Sequence, residues 1–151
     1  MTAEKEWRGF LAKYDAKVAR EATQAIAQMR ELVPGAVELI YDNYNALVMG
    51  FGPSEKASEA VFSIVLYPKY VSLFFLQGAG LPDPGKRLEG SGNVARHIKL
   101  TKPGMLDEPE ILELINVALH RAKKPIDPRA KRTMVIKSVS KKQRARRPGK
   151  K

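Results

Sequence analysis

The sequence predicts an α+β fold in which an antiparallel sheet of about five strands carries an N-terminal and a C-terminal helix on one face. Helical periodicity near both ends of residues 1–124, short extended segments between them, and the turn residues that separate those segments lead to this prediction. The length of 151 residues and the 44% hydrophobic content suit one globular domain. Because the chain has zero cysteines, disulfides, thiolate nucleophiles and cysteine-ligated metal centres are excluded.

The N-terminal segment from Trp7 to Leu32 is expected to form one long helix. Its apolar residues recur mostly at spacings of three and four, which places them on one stripe. Pro34 and Gly35 are typical of a helix end.

Five extended segments follow, rich in β-branched and aromatic residues and separated by Gly, Pro, Asn and Ser. They are Val37 to Asp42, Ala46 to Phe51, Val61 to Tyr67, Val71 to Gln77 and Val94 to Leu100. The third and fourth carry apolar residues on both faces, which is typical of central strands that are covered twice. Since two helices on one face leave the other open, we expect the loop 78–92, the segment 133–139, a second subunit or a ligand to cover it.

A second amphipathic helix is predicted after Asp107. This residue occupies a typical N-cap position, and Glu110 follows three residues later as in a capping box. Apolar residues from Ile111 to Leu119 then recur with helical spacing.

The net charge of +11 is unevenly distributed along the chain. Residues 1–120 have a net charge of −2, whereas residues 121–151 have +13. Because Pro125 and Pro128 also interrupt the last helix, we place a boundary between a domain at 1–124 and a basic extension at 125–151. Within the extension, 133–139 has the apolar content of a further edge strand, and the residues beyond it are expected to be disordered.

The basic tail supports two interpretations. It could associate with nucleic acid through phosphate contacts, without base specificity, or it could be a solvated, solubilising segment. The residues that would contact phosphate are Lys141, Lys142, Arg144, Arg146 and Arg147. Such a segment contributes little to a core, so its removal is expected to leave the melting temperature nearly unchanged.

The phrases Tyr44–Ser54, Phe62–Pro68, Leu81–Pro84 and Gly90–Gly92 resemble a YdhG-like domain. The resemblance runs from roughly residue 18 to residue 122. The family consists of mostly uncharacterised bacterial proteins, and membership implies a frataxin-like α+β sandwich. One branch has been proposed to act as an intracellular iron chaperone, so iron is the cofactor that this alternative would imply.

The most suggestive local cluster is a glycine-rich turn that leads into the last predicted strand. Such turns let backbone N–H groups approach an anion. Alternation also places Arg96 on the apolar face of the strand, where a charge needs a partner. That partner is either a carboxylate such as Glu38 or Asp42, or a bound anion. The candidate ligand-binding residues are Gly90, Ser91, Gly92, Asn93, Arg96 and His97.

A metal site is the weaker alternative. Iron favours clustered oxygen ligands, yet the acids of the first helix are interleaved with Lys and Arg and form no pair at helical spacing. The compact acidic group near the second helix supplies the only candidate ligands, Asp107, Glu110 and Glu113. These acids also suit a helix N-terminus without any metal.

No nucleophile or catalytic triad is apparent, so we expect a non-enzymatic protein without a cofactor. The N-terminus lacks a secretory signal and no apolar run could cross a bilayer, which predicts a cytoplasmic protein without a membrane partner. The expected partner is a protein or small molecule bound on the open sheet face. A homodimer through that face and nonspecific nucleic acid on the tail remain alternatives.

Overall fold

The computed structural model describes residues 2–148, and its fold is α+β, with a six-stranded mixed sheet and three helices. The helices are α1 (Ala3–Leu11), α2 (Ala16–Leu32) and α3 (Pro109–Arg121). The strands are β1 (Val37–Asp42), β2 (Leu47–Gly52), β3 (Phe62–Leu66), β4 (Val71–Phe75), β5 (Arg96–Leu100) and β6 (Thr133–Val139). In the described part of the chain, no helix is long and apolar enough to cross a membrane.

The strand order is β5-β4-β3-β2-β1-β6. The first five strands form an antiparallel meander, as predicted, but β6 pairs with β1 in parallel. The prediction of a purely antiparallel sheet of five strands is therefore wrong. The chain after α3 returns to the start of β1 before it becomes extended again, so β6 runs in the same direction as β1.

The N-terminal helix is broken, which corrects the prediction of one helix from Trp7 to Leu32. Helix α1 ends at Leu11, and α2 begins at Ala16 after a short non-helical turn. In that turn the Tyr14 hydroxyl donates to the Leu66 carbonyl at 3.1 Å, and Lys13 reaches Asp42. These tertiary contacts with the sheet override a continuous helical periodicity.

All three helices contribute to one hydrophobic core on the inner face of the sheet. Alternate strand residues point into this core, among them Ile40, Met49, Ile64, Leu73 and Ile98. Helix α3 begins at Pro109, with Glu108 rather than Asp107 at the N-cap, because proline needs no N–H partner in the first turn. The predicted capping box is thus absent from the described α3 terminus.

The opposite, outer face of the sheet is covered only at one end. The connection between β2 and β3 lies on it, close to the glycines of β2; a Cβ built on Gly52 would lie 2.9 Å from the Ala60 Cα. This contact was not predicted. The loop 78–92, one of the predicted covers, runs along the free side of β5 instead, where Glu89 forms a bridge with His97.

Candidate binding groove on the outer sheet face

The uncovered part of the outer face forms a groove of about 700 Å³. Its floor consists of outward-pointing residues of three neighbouring strands, Val48, Ser63, Val65 and Phe74. Strand alternation places them here, because the residues between them point into the inner core. Valine and phenylalanine make the floor largely apolar.

The floor residues belong to two rows that cross the sheet. Val48 lies opposite Val65, and that row continues through Ser72 to Lys99. In the second row, Ser63 lies opposite Phe74, and Phe74 lies opposite His97. Directly opposed residues on neighbouring strands lie close enough for their side chains to interact. Each row therefore ends on β5 at a basic or titratable side chain.

The walls of the groove come from three separate segments. One is the β1–β2 hairpin, another is the β3–β4 turn, and the third is the C-terminal tail. The wall residues are Asn43, Tyr44, Asn45, Ala46, Tyr67, Pro68, Arg144 and Ala145. The groove is thus completed by a part of the chain far from its floor in sequence.

Aromatic rings surround the groove and stack in pairs. Phe74 stacks on His97 with ring centroids 4.9 Å apart, and Tyr67 stacks on Tyr70 at 4.8 Å. The Lys99 ammonium lies 4.9 Å from the Tyr70 ring centroid. Burial, with a smaller contribution from Tyr70, raises the pKa of Tyr67, so its hydroxyl is protonated at neutral pH.

The groove has a positive charge and free hydrogen-bonding groups. Within the part of the chain that the structure describes, Arg144 is the only charged residue of the lining, and its guanidinium carbon lies 5.5 Å from the Tyr44 ring centroid. Across residues 2–148, no hydrogen bond engages the side-chain polar atoms of Asn43, Asn45, Ser63 or Arg144. Asn43, Asn45 and Arg144 are also exposed, so their side chains can contact a ligand without breaking a contact within the protein, whereas Ser63 is buried.

The tail reaches the groove because Arg146 is anchored in the body. Its guanidinium pairs with Asp42 at 2.8 Å and also donates to the Asn43 carbonyl. Only 5% of Arg146 is exposed. The expectation that the residues beyond 139 are disordered is thus wrong for 140–148, because a buried carboxylate and hairpin carbonyls bind the tail. Residues 149–151 lie outside the described part.

The five tail residues considered for nucleic acid differ in their surroundings. Lys141 and Lys142 are exposed, whereas Arg144 forms part of the groove wall. Arg146 is buried, and Arg147 donates to the carbonyls of Ala12 and Lys13. These five cations therefore do not form a uniform, solvated run.

The glycine-rich turn is organised around Arg96. Residues Gly90 to Asn93 are exposed, and the Arg96 guanidinium donates to the carbonyls of Gly92 and Ala95 at 2.6 and 2.7 Å. The predicted ion pair between Arg96 and Glu38 or Asp42 does not form. Within residues 2–148 Arg96 has no carboxylate partner, because its guanidinium is bound instead by carbonyls of the turn that precedes it in the chain.

Glu38 and Asp42 neutralise other arginines on the inner face. Glu38, fully buried, accepts from Arg30 at 2.8 and 2.9 Å and from Arg132 at 3.1 Å. The bond with Glu38 is the main cause that raises the pKa of Arg30. These ion pairs with a buried carboxylate hold α2 and the segment before β6 to the sheet.

The acids considered as metal ligands are not brought together. Glu110 and its neighbour Glu108 both accept from Arg87, and that bond lowers the pKa of Glu108. Among the described residues, no three His, Asp or Glu side chains are grouped so that they could hold a metal ion. Asp107, Glu110 and Glu113 therefore form no such cluster.

A second cavity, of about 520 Å³, lies between the C-terminal end of α3 and the segment before β3. Its apolar lining includes Val61, Leu81 and Ala118. One of its basic residues, Lys124, pairs with Glu59 at 3.1 Å. Arg121 donates to the Gly80 carbonyl at 3.0 Å, so this cavity leaves fewer free polar groups than the groove.

The groove combines residues that the sequence did not single out as a site. Of the predicted ligand-binding residues, only His97 adjoins it, through its stack on Phe74. The signal that could have located the groove was the apolar outer face of β3 and β4, together with the exposed aromatic residue Tyr44 in the hairpin. No protein-family model, curated protein or solved structure matches this chain significantly.

Proposed function

We propose that this protein is a non-catalytic binding module that takes a ligand or protein partner in the outer-face groove. The observation that carries this proposal is the groove itself: an apolar floor bordered by unpaired amides, a hydroxyl and one arginine. Binding sites typically join an apolar surface to a few polar groups that orient the ligand. We place the protein in the cytoplasm, a location that rests on the sequence alone.

The surroundings of the two histidines support a binding role rather than catalysis. The His97 ring is stacked on Phe74, and His120 Nδ1 lies 3.0 Å from the Asn116 carbonyl oxygen of its own helix. Among residues 2–148, no side-chain hydrogen bond or ion pair joins either imidazole to a carboxylate or a hydroxyl. A YdhG-like membership also stays a proposal, supported by the quoted sequence phrases and compatible with an α+β fold.

An anionic aromatic dye, 8-anilinonaphthalene-1-sulfonate, tests the groove directly. We expect saturable fluorescence enhancement, because the dye matches an apolar floor with an arginine beside it. Val48→Asp should weaken the enhancement at least fivefold by placing a charge on the floor. Ala118→Asp places the same charge in the second cavity and should leave the enhancement unchanged.

Both variants are first checked for an unaltered circular dichroism spectrum and a cooperative melt. Enhancement that Ala118→Asp abolishes and Val48→Asp spares would place binding in the second cavity and contradict the proposal. Absence of saturable enhancement in the wild-type protein would contradict it as well.

A further inference from the structure

The outer face presents aromatic rings together with cations at both sides of the sheet. On the β5 side, Lys99 lies over Tyr70, which stacks on Tyr67. On the hairpin side, Arg144 lies over Tyr44. The apolar floor of Val48 and Val65 joins the two sides. A ligand that crosses the strands would therefore contact an aromatic ring at each end and the apolar floor between them, with a positive charge near each ring.

The electrostatics of this surface favour an anion. Among the described lining residues of the groove there is no carboxylate, and Arg144 is the one charged residue. Lys141 and Lys142 are exposed in the segment that leads to the Arg144 wall, and they extend the positive charge beyond the groove. The buried carboxylates of β1 point to the opposite face, where arginines already neutralise them. A polyanion could thus approach this face without meeting a negative groove.

The shape of the groove favours an extended ligand over an enclosed small molecule. The groove lies open along the sheet, and its two rows cross from β2 to β5, a distance of about 14 Å for three inter-strand steps of about 4.8 Å. A small-molecule pocket usually buries most of its ligand's surface. An open sheet face with partly exposed rings is instead a surface on which successive bases can stack.

We infer that the ligand of this groove is single-stranded nucleic acid. Bases stack on Tyr44, Tyr67 and the Phe74–His97 pair, while Arg144 and Lys99 contact the phosphates. Aromatic stacking tolerates every base, and basic residues follow the backbone. The unpaired amides of Asn43 and Asn45 supply hydrogen bonds to base edges. This inference rests on the proposed binding function and names the partner of the same site.

This mode differs from nonspecific association through the basic tail. Tail electrostatics alone act equally on duplex and single strand, since both present phosphates. Stacking requires unpaired bases, so it discriminates against a duplex of similar charge. The tail contributes here as one wall of the groove, held in place by the buried Arg146.

Fluorescence anisotropy with a labelled octauridylate, an octathymidylate and a short DNA duplex provides the test, with the 151-residue protein at two salt concentrations. We expect both single strands to bind at least tenfold more tightly than the duplex. Phe74→Leu and Tyr67→Leu should each weaken single-strand binding about fivefold or more, because they remove a ring and keep an apolar side chain. Phe10→Leu makes the same change on α1, away from the groove, and should have no effect.

Two variants that each remove one positive charge distinguish binding in the groove from binding by the tail. Arg144→Gln should weaken single-strand binding more than Lys142→Gln, although both remove one positive charge. Equal loss in the two variants, or duplex binding as tight as single-strand binding, would overturn the inference in favour of tail electrostatics. Absence of binding to all three oligonucleotides would also overturn it.

The proposed function can fail separately from this inference. Dye binding that Val48→Asp abolishes, in a protein that binds no oligonucleotide, would keep the groove as a site and reject nucleic acid as its ligand. Loss of both signals would reject both. Circular dichroism melts of each variant establish that it is folded before either measurement is interpreted.

Discussion

Single charged residues on the inner face hold distant parts of this chain together. Asp42 is 1% exposed and contacts both Lys13 and Arg146, at 3.1 and 2.8 Å. One residue therefore fixes the turn between the first two helices and the C-terminal tail. A buried carboxylate that lost its main partner would be strongly destabilising, because its charge has little access to water.

We predict that Arg146→Ala lowers the free energy of unfolding by about 3 kcal/mol, at the lower end of the cost of breaking a buried pair, since Lys13 still contacts Asp42. The melting temperature should fall by roughly 6–12 °C. Lys142→Ala is the control, because Lys142 is a cation of the same tail but is exposed. It should change the free energy of unfolding by less than about 0.5 kcal/mol. Equal melting temperatures for the two variants would contradict the anchoring role.

Tyr14 makes the stability of the folded protein depend on pH in the alkaline range. Burial raises the pKa of its hydroxyl to about 12, an effect that the nearby Arg146 partly offsets. In the unfolded chain the pKa is close to 10, so the folded state retains the proton between about pH 10 and pH 12. Stability from this group is therefore complete below pH 10 and is lost as the pH rises through that interval.

Tyr14→Phe should remove this dependence and, at pH 7, cost about 1 kcal/mol because the Leu66 carbonyl loses its donor. Thermal melts at pH 8, 10 and 11 compare the two proteins. The gap in stability between wild type and variant should narrow as the pH rises. Parallel pH profiles of the wild type and the variant would show that Tyr14 does not contribute to the alkaline transition.

At the level of elements, the positions of the strands could be predicted from the sequence, whereas the helix break and the pairing of β6 could not. The β-branched and aromatic residues of 37–42 and 71–77, with the turn residues that flank them, located β1 and β4 to within two residues, because composition and turns are local properties. The break between α1 and α2 depends on Tyr14 reaching Leu66, a contact 52 residues apart in sequence. The parallel pairing of β6 likewise depends on where the chain returns, which the composition of 133–139 does not encode.

The turn after α2 depends on a glycine that another segment approaches closely. Gly35 has a φ of +81°, and a Cβ built on it would clash with the Asp127 carbonyl oxygen. The residues before β6 therefore pack against the turn that leads into β1. A side chain at this position would both strain the backbone and displace Asp127.

We predict that Gly35→Ala lowers the free energy of unfolding by about 3 kcal/mol, from the strain of a positive φ and the clash. Gly9→Ala is the matched control: no atom lies within 4 Å of its added Cβ, and it occupies an exposed site in α1. This change should raise stability by roughly 0.5–1 kcal/mol because alanine favours a helix. Urea denaturation of both variants measures the difference. A neutral Gly35→Ala would show that the 127–130 segment does not pack there.

For the whole molecule, the charge boundary in the sequence is not a structural boundary. The basic extension supplies strand β6. It also supplies Arg132, which pairs with Glu38, and Arg146, which pairs with Asp42. Charge counts along the chain could not show this, because acids buried in the sheet neutralise cations that look solvated in the sequence. The sequence alone could not locate the groove either, because its floor lies in β2 to β4 and one wall lies in the tail.

Truncation separates these two descriptions of the chain. A protein that ends at residue 124 loses β6 and exposes the edge of β1, including the paired backbone and the fully buried Leu39 and Ile40. We predict that it fails to fold cooperatively or aggregates, because an uncovered apolar edge strand pairs with other chains. A protein that ends at residue 140 keeps β6 and should fold, with a melting temperature lowered by roughly the same 6–12 °C as Arg146→Ala, since both lose the pair with Asp42. Circular dichroism melts and size-exclusion chromatography make the comparison, and a monomeric 1–124 fragment with the wild-type melting temperature would restore the domain boundary at 124.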